Sequence, residues 1–422
     1  MRRIWKASLA CMLSAWMALG GCTLSKAAEK VGRTDCALSE KTEQAEKNAL
    51  APYDFGAKVL ALCGGENAPS GANGENQLIS PYSVYTALAM AASGADGATQ
   101  AEFTALLALS EEERREFCAN LAKKLQSGNY AKVLRSANSV WYKSDAGIAI
   151  RKSFLKECAR TYGADVKKCD FSAAAVQKVN DWVKKQTNGQ IDRIVERFAE
   201  NTNVALVNAI ALADTWKGGE KETKFGAFYT SGEELFVRRI EGKLTEYYRS
   251  DKATAFAYET ESGLRVYGIL PDGELASYLA ELDGRELYSV LHNRRKATVY
   301  AQMPTFSFDC EYRLEEALAR EIPTAFHPTK ANFTKMAEMQ VGRNLFIGEV
   351  RHKTHISVSA EGVKAAAATH VGMMRLTALP PERENCVEII LDRPFLVAVT
   401  DGASGIPLFI GAVQRPTEEK TE

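Results

Sequence analysis

The chain of 422 residues lacks the short motifs that most often announce an enzyme. There is no GxSxG elbow, no HExxH zinc pair, no dinucleotide GxGxxG and no Walker lysine. Each of these places a nucleophile, a metal or a phosphate at fixed spacing, so their absence removes the commonest catalytic readings. The glycine-rich GGENAPSGANGEN (Gly64–Asn76) ends without a lysine followed by Ser or Thr, and therefore reads as a surface loop. Histidine is scarce: His292, His327, His352, His355 and His370 are all there are. In HKTH the two rings are three residues apart, which on a strand points them to opposite faces, so no metal site is expected there. Excess charge is also missing. Lys+Arg and Asp+Glu number 53 each, which offers no electrostatic basis for a nucleic-acid partner or for attraction to an anionic membrane. No catalytic residue, metal or cofactor is expected.

What is present is ordinary globular composition, 46% hydrophobic and 25% charged, with one unusual end. MRRIWK is basic, and Ala7 to Ser25 carries no charge. That pattern is a secretory signal or a short membrane anchor. The run closes in LGGC (Leu19–Cys22), which resembles the lipobox of bacterial lipoproteins. The resemblance implies a signal peptide over residues 1–21, lipidation at Cys22 and a polar tether over 22–47. It also implies a protein exported and anchored by lipid on the outer face of the bacterial cytoplasmic membrane or at the cell surface. An uncleaved transmembrane helix is the alternative, and both place the remainder outside the cytoplasm. Two of the nine cysteines, Cys11 and Cys22, belong to this segment. The other seven form no CxxC, a domain of this size needs no disulfide staples, and Cys158 with Cys169 is one candidate pair.

Helices lead along the chain. DFGAKVLALC is a short helix. SEEERREFCANLAKKL opens with a capping box from Ser110 and Glu113 and aligns Phe117, Leu121 and Leu125. Two further helices stop at Gly163 and Gly189, the second with Val179, Trp182 and Val183 on its apolar side. Strands follow. NVALVNAIALAD is apolar on both faces and reads as a central strand, and LRVYGILPDG, ATVYAQMP, CVEIIL, FLVAVT and PLFIGAV are further strands. No linker divides these elements, so a single α+β domain is expected over residues 48–417.

EGVKAAAATHVGMMRL (Glu361–Leu376) is ambiguous. Four alanines favour helix. Alternate residues from Val363 (Val363, Ala365, Ala367, Thr369, Val371, Met373) are nevertheless uncharged, while Lys364, Ala366 and His370 fall on the other face, as in a half-buried strand.

Five segments in order resemble the serpin family, from about residue 50 to Pro416. NQLISPYSVYTALAMAASGADGATQAE resembles its Ser-Pro-x-Ser helix segment, and VNDWVKKQTNGQI its N-x-W-V … T-x-G-x-I signature. LVNAIALADTW is similar to the strand with an internal Asn and a later Trp. LDRPFLVAVTD and PLFIGAVQRP are similar to the C-terminal hairpin, and VRHKTHISVSAEGVKAAAAT to the strand, hinge and reactive loop. The resemblance implies three β-sheets, eight or nine helices and an exposed reactive-centre loop, here about residues 361–381. It implies a monomeric inhibitor that traps a serine protease, and in some cases a cysteine protease, as a covalent acyl complex. After cleavage the loop inserts into the largest sheet. A non-inhibitory serpin-fold binding or carrier protein is the alternative.

By the same resemblance Gly362, Val363, Lys364, Ala365, Ala366, Ala367, Ala368 and Thr369 are the hinge, with Gly362 giving backbone freedom. Ser80, Ser83, Asn208 and His352 match a polar cluster that latches the sheet, and Trp216 lies under the first point of insertion. Counting from Gly362 puts the reactive bond at Leu376–Thr377, with Arg375 and then Met374 as alternatives. Leu376 suits a chymotrypsin- or elastase-like pocket and Arg375 a trypsin-like one. Two departures are visible. ADTWKGGEKETKF differs from the family pattern around the Trp, and Ala360 stands where inhibitory serpins carry a Glu.

Overall fold

The computed structural model describes residues 34–64, 75–143, 147–200, 202–364 and 386–417. The chain divides into two units, Met1–Ala51 and Pro52–Glu422. In the first, the described residues are helical from Thr34 onward. That helix, α1, runs Thr34–Cys63 and carries Pro52 at the division, where the ring removes one intrahelical donor. The short helix expected at Asp54–Cys63 is thus the end of a longer one. The lipobox and its Cys22 lie outside the described residues.

In the second unit β1 (Gln77–Ile79) leads to α2 (Pro81–Gly94), α3 (Gly97–Leu107), α4 (Glu111–Leu125) and α5 (Tyr130–Val133). Next come β2 (Leu134–Lys143), β3 (Ile148–Ile150), α6 (Lys152–Thr161), β4 (Asp165–Cys169) and α7 (Ala173–Gln186). Six strands follow, β5 (Val204–Leu212), β6 (Asp214–Thr215), β7 (Thr223–Tyr229), β8 (Glu234–Arg249), β9 (Ala253–Glu259) and β10 (Leu264–Pro271). Then α8 (Leu275–Ala280), α9 (Gly284–His292), β11 (Arg294–Pro304), β12 (Phe306–Arg313), α10 (Glu315–Glu321) and α11 (Pro323–Phe326). The chain closes with β13 (Ala337–Met339), β14 (Ile347–Val358), β15 (Gly362–Lys364), β16 (Cys386–Ile390), β17 (Phe395–Asp401) and β18 (Pro407–Val413).

Among the described residues the strands form three sheets. One has order β1-β18-β17-β10-β9-β8-β11-β16 with β7 on β8, and a small one pairs β13 with β3. The third has order β4-β2-β5-β14-β15-β6, with β12 on the other edge of β14. This α+β arrangement of three sheets is the one expected.

Local chemistry explains the pieces that frame this sheet. Both halves of the Ser110–Glu113 capping box are made at the start of α4, and Phe117, Leu121 and Leu125 are buried. Helix α2 is apolar nearly all round, and every residue from Pro81 to Ala92 is buried, as a helix without a polar face must be. All nine residues of β5 are buried. Its odd positions, Ala205, Val207, Ala209 and Ala211, join one core cluster with Val179 and Val183 of α7. Its even positions face α2, where Asn208 meets Ser83. The sheet is therefore covered on both faces at β5. Gly163 and Gly189 end their helices with φ of +57° and +80°. Cys158 and Cys169 are both buried free thiols, so the candidate disulfide is not made.

Candidate functional site: the hinge and the seam of the central sheet

The centre of the sheet is a parallel pair. β5 and β14 run side by side from Ile347 opposite Val204 to Thr354 opposite Ile210. Beyond Thr354 they part, and the space between β14 and β6 is filled by β15. Lys364 pairs with Ser357 and Val363 with Val358 on one side. Gly362 pairs with Thr215 and Val363 with Asp214 on the other. The first residues of the alternating stretch are thus already a strand, antiparallel to both neighbours, and Val363 is 1% exposed. Of the remaining hinge and loop residues, Ala365, Ala366, Ala367, Ala368, Thr369, Arg375, Leu376 and Thr377 lie outside the described residues.

Gly362 has a different role from the one expected. It is not among the glycines with positive φ. A Cβ there would lie 2.1 Å from the Asp214 carbonyl oxygen and 2.7 Å from the Thr215 Cα. Close approach of the β6 backbone, not conformational freedom, is what requires glycine.

The turn between β14 and β15 is held from the segment after β6. Trp216 is fully buried, edge-on to Tyr258, and its Nε1–H donates to the Ser359 carbonyl at 2.9 Å. The Trp216 amide donates to the Glu361 carbonyl at 3.1 Å and the Lys221 amide to the Ala360 carbonyl at 2.8 Å. Gly218 and Gly219, with φ of +81° and +89°, bend the chain between these donors. The segment whose sequence departs from the family pattern therefore still packs its Trp. The turn at Ala360, which lacks the Glu of the family pattern, is gripped by main-chain hydrogen bonds.

Below β15 the seam is bridged on its core face by the predicted polar cluster. His352 and Asn208 are directly paired across β14 and β5. The Ser80 amide donates to His352 Nε2 at 3.0 Å, which makes Nε2 the acceptor and places the ring proton on Nδ1. Nδ1–H then donates to Asn208 Oδ1 at 3.2 Å. Ser83 Oγ–H donates to the same oxygen, and Asn208 Nδ2–H donates to the Ser83 carbonyl and to Asn138 Oδ1. Ser80 also caps α2 by accepting from the Ser83 amide. Burial pushes the His352 pKa down to about 3, so the ring is neutral at any physiological pH. His355, by contrast, faces the other way and bonds Asp309 at 3.0 Å, so the HKTH pair does not converge.

All of Ser80, Ser83, Asn208 and His352 are thus brought together, and Trp216 sits at the hinge. Asn138 is the member that sequence reasoning missed. It stands opposite Asn208 on β2, a strand that also carries Arg135, Ser136 and Ser139, so no local signal set it apart.

Comparison with known proteins agrees with this geometry. The family profile described as "Serpin (serine protease inhibitor)" matches residues 53–416. An uncharacterized serpin-like protein of Thermococcus kodakarensis is 30% identical over 397 residues, covering 90% of this chain and 88% of that protein. The leukocyte elastase inhibitor of Homo sapiens is 28% identical over 384 residues, covering 85% and 96%. Among solved structures, the thermophilic serpin tengpin in its native state superposes with a TM-score of 0.76 at 29% identity, covering 93% of this chain and 97% of that one. Serpins are protease inhibitors rather than enzymes. The chain belongs to the serpin family.

Proposed function

We propose that this serpin inhibits a serine protease by offering its reactive loop as a substrate and inserting the loop after cleavage. The observation that carries the reading is the register of β15. Continued in the same register on both sides, Ala365 would fall between Ile356 and Leu212, Ala367 between Thr354 and Ile210, and Thr369 between His352 and Asn208. The last two pairs are neighbours across the seam now. The two registers therefore describe one continuous strand position, entered at the top by Gly362–Lys364. Each backbone hydrogen bond gained there contributes about 0.5–1.5 kcal/mol net. From Ala365 to Met374 the only residue that can carry charge is His370, so nothing bulky and permanently ionised must be desolvated on the way in.

The race is between this zippering and deacylation of the trapped protease. Leu376–Thr377 is the proposed bond, which favours chymotrypsin- or elastase-like enzymes, and Arg375 is the trypsin-like alternative. Export and lipid anchoring at Cys22 would put the inhibitor outside the cytoplasm, where it meets foreign proteases. It works as a monomer.

The test is incubation with chymotrypsin-, elastase- and trypsin-like proteases, followed by denaturing gels and mass spectrometry. A denaturant-resistant complex with at least one of them, and a released peptide beginning at Thr377, is the expected result. A peptide beginning at Leu376 moves the bond to Arg375. Cleavage across the whole panel with no complex would make the chain a serpin-fold binding protein instead.

A further inference from the structure

Three guanidiniums are buried among the described residues, and two of them are matched by acceptors. Arg114, 1% exposed, donates to the Leu109 carbonyl at 2.6 Å and to Thr104 Oγ1 at 3.3 Å. Arg351 donates twice to the Glu349 carboxylate, at 2.8 Å and 3.0 Å, and has Glu315 at 3.7 Å. Arg239, 6% exposed, is the exception. Its one hydrogen bond runs from Nη1 to Gln302 Oε1 at 3.4 Å, beyond the usual range for N–H···O. Nε has no partner, and among the described residues no carboxylate pairs with the group. A guanidinium does not escape burial by losing its proton, and an ion taken out of water without an opposite charge is costly.

The cross-strand register puts Arg239 on the face of the β7–β8 hairpin that also carries Gly226 and Phe228. The stretch that follows β16 covers this face. The Leu391 amide donates to the Gln302 carbonyl at 3.0 Å, the Tyr229 amide donates to the Asp392 carbonyl at 2.7 Å, and Phe228 lies edge-on to Phe395. Under this cover the guanidinium rests on Gly226 and fills the space of a side chain there. A Cβ at Gly226 would stand 2.6 Å from Nη1, 2.9 Å from Cζ and 3.3 Å from Nε. Nη1 is engaged by Gln302, itself 4% exposed. The Nε–Nη2 edge, which grips a carboxylate through two parallel bonds, has no acceptor among the described residues. Burial pushes the Arg239 pKa down and Asp392 acts the other way, yet the Asp392 carboxylate turns to Arg393 at 3.5 Å. Those two side chains are 36% and 42% exposed, so the cover is thin above the fork.

We propose that Arg239 and Gln302 form a binding site for a small monocarboxylate, held by the Nε–Nη2 edge of the guanidinium beneath residues 391–393. One unmatched positive charge calls for one negative charge, which favours a monocarboxylate over a phosphate dianion. The planar carboxylate also fits the fork in shape. A ligand bound there ties the β7–β8 hairpin to the connection between β16 and β17. The site stands whether or not the chain inhibits a protease.

The experiment uses the full chain with sodium acetate as the probe. Sodium chloride at matched ionic strength is the reference, and sodium phosphate tests the other charge class. Thermal midpoints are measured together with the relaxation of isotope-labelled acetate. Wild type should show a saturable rise in midpoint with acetate that chloride does not reproduce. Arg239→Met should bind acetate at least about tenfold more weakly, the loss expected for one charge-assisted hydrogen bond. Its midpoint in chloride should equal or exceed that of wild type, because an unmatched buried charge has become an apolar side chain. Gly226→Ala crowds the guanidinium while keeping its charge, and should weaken acetate binding as well. Lys243→Met removes another cation of β8, one that lies over the Tyr300 ring, and should leave acetate binding unchanged. No saturable acetate effect in wild type overturns the site, and so does an effect that survives Arg239→Met. A lower chloride midpoint for Arg239→Met means that the fold already matches the charge, and overturns it too. A response seen only in Asp392→Asn means that Asp392 fills the fork itself, with the same consequence. A stronger effect of phosphate, lost with Arg239→Met, overturns the monocarboxylate assignment. Should Arg239→Met fail to fold, Gly226→Ala decides.

Discussion

His352 donates through Nδ1 to Asn208 Oδ1 at 3.2 Å while its Nε2 accepts from the Ser80 amide, so both ring nitrogens are committed only when the ring is neutral. That bond spans β14 and β5, the two strands that the proposed loop insertion would separate.

A pH dependence follows from it. The folded pKa of about 3 lies below the unfolded value near 6.5. The unfolded state therefore binds the extra proton first as pH falls, and His352 withdraws stability from about pH 6.5 down to about pH 3, by about 1.4 kcal/mol per pH unit. Urea midpoints of the intact protein should decline over this window, and His352→Gln should show a shallower decline. Parallel slopes for the two proteins would contradict the assignment.

Replacing Gly362 by Ala should dislodge β15. The added methyl would overlap the Asp214 carbonyl and the Thr215 backbone, neither of which is a flexible side-chain end. Overpacking of this kind costs about 1–3 kcal/mol. Hydrogen exchange should show lost protection at Val363 and Ser357, together with a shift in Trp216 emission as the Ser359 contact loosens. Unchanged protection would mean that β6 gives way instead.

If the chain inhibits by the proposed loop insertion, arginine in the hinge should turn it into a substrate. Ala365 follows directly on β15, and in the extended register it enters beside Ile356 on the core face. An unpaired guanidinium there costs several kcal/mol, and about 1.4 kcal/mol on the insertion barrier slows it tenfold. Ala366→Arg should fail comparably, since its neighbour would be Ala211, which lies in the core cluster with α7. Protease titration would show turnover with no complex for both variants. Full inhibition by Ala365→Arg would rule out insertion.

Asn138→Ala should lower the urea midpoint by the equivalent of about 1–3 kcal/mol, because it leaves Asn208 Nδ2 short of an acceptor in a buried site. An unchanged midpoint would remove Asn138 from the cluster.

What the sequence revealed depended on range. The α4 capping box and the all-apolar β5 were legible because the signal lies within one element. The polar cluster was legible only through family resemblance, since Ser80 and His352 are 272 residues apart. Asn138 escaped because its partner Asn208 is 70 residues away and nothing near it marks the pairing. Lys353 bonds a main-chain carbonyl 160 residues distant, a contact that carries no side-chain signature at its acceptor end. Gly362 reads from the sequence as a source of backbone freedom, whereas the structure shows a close approach there. Its crowding comes from β6, and only assembled strands display that. The pairing of Cys158 with Cys169 rested on nearness along the chain alone.

The grip on the Ser359–Glu361 turn has an evolutionary corollary. Its acceptors are three main-chain carbonyls and two of its three donors are main-chain amides, so the bonds are blind to which side chains occupy positions 359–361. Such a turn tolerates drift in residue identity, including the Ala at position 360. It does not tolerate a change in the number of residues between Trp216 and Lys221, because that would slide one donor away from its carbonyl while the other stayed in place. Among related chains, the spacing from this Trp should therefore be fixed more strictly than the letters that fill it.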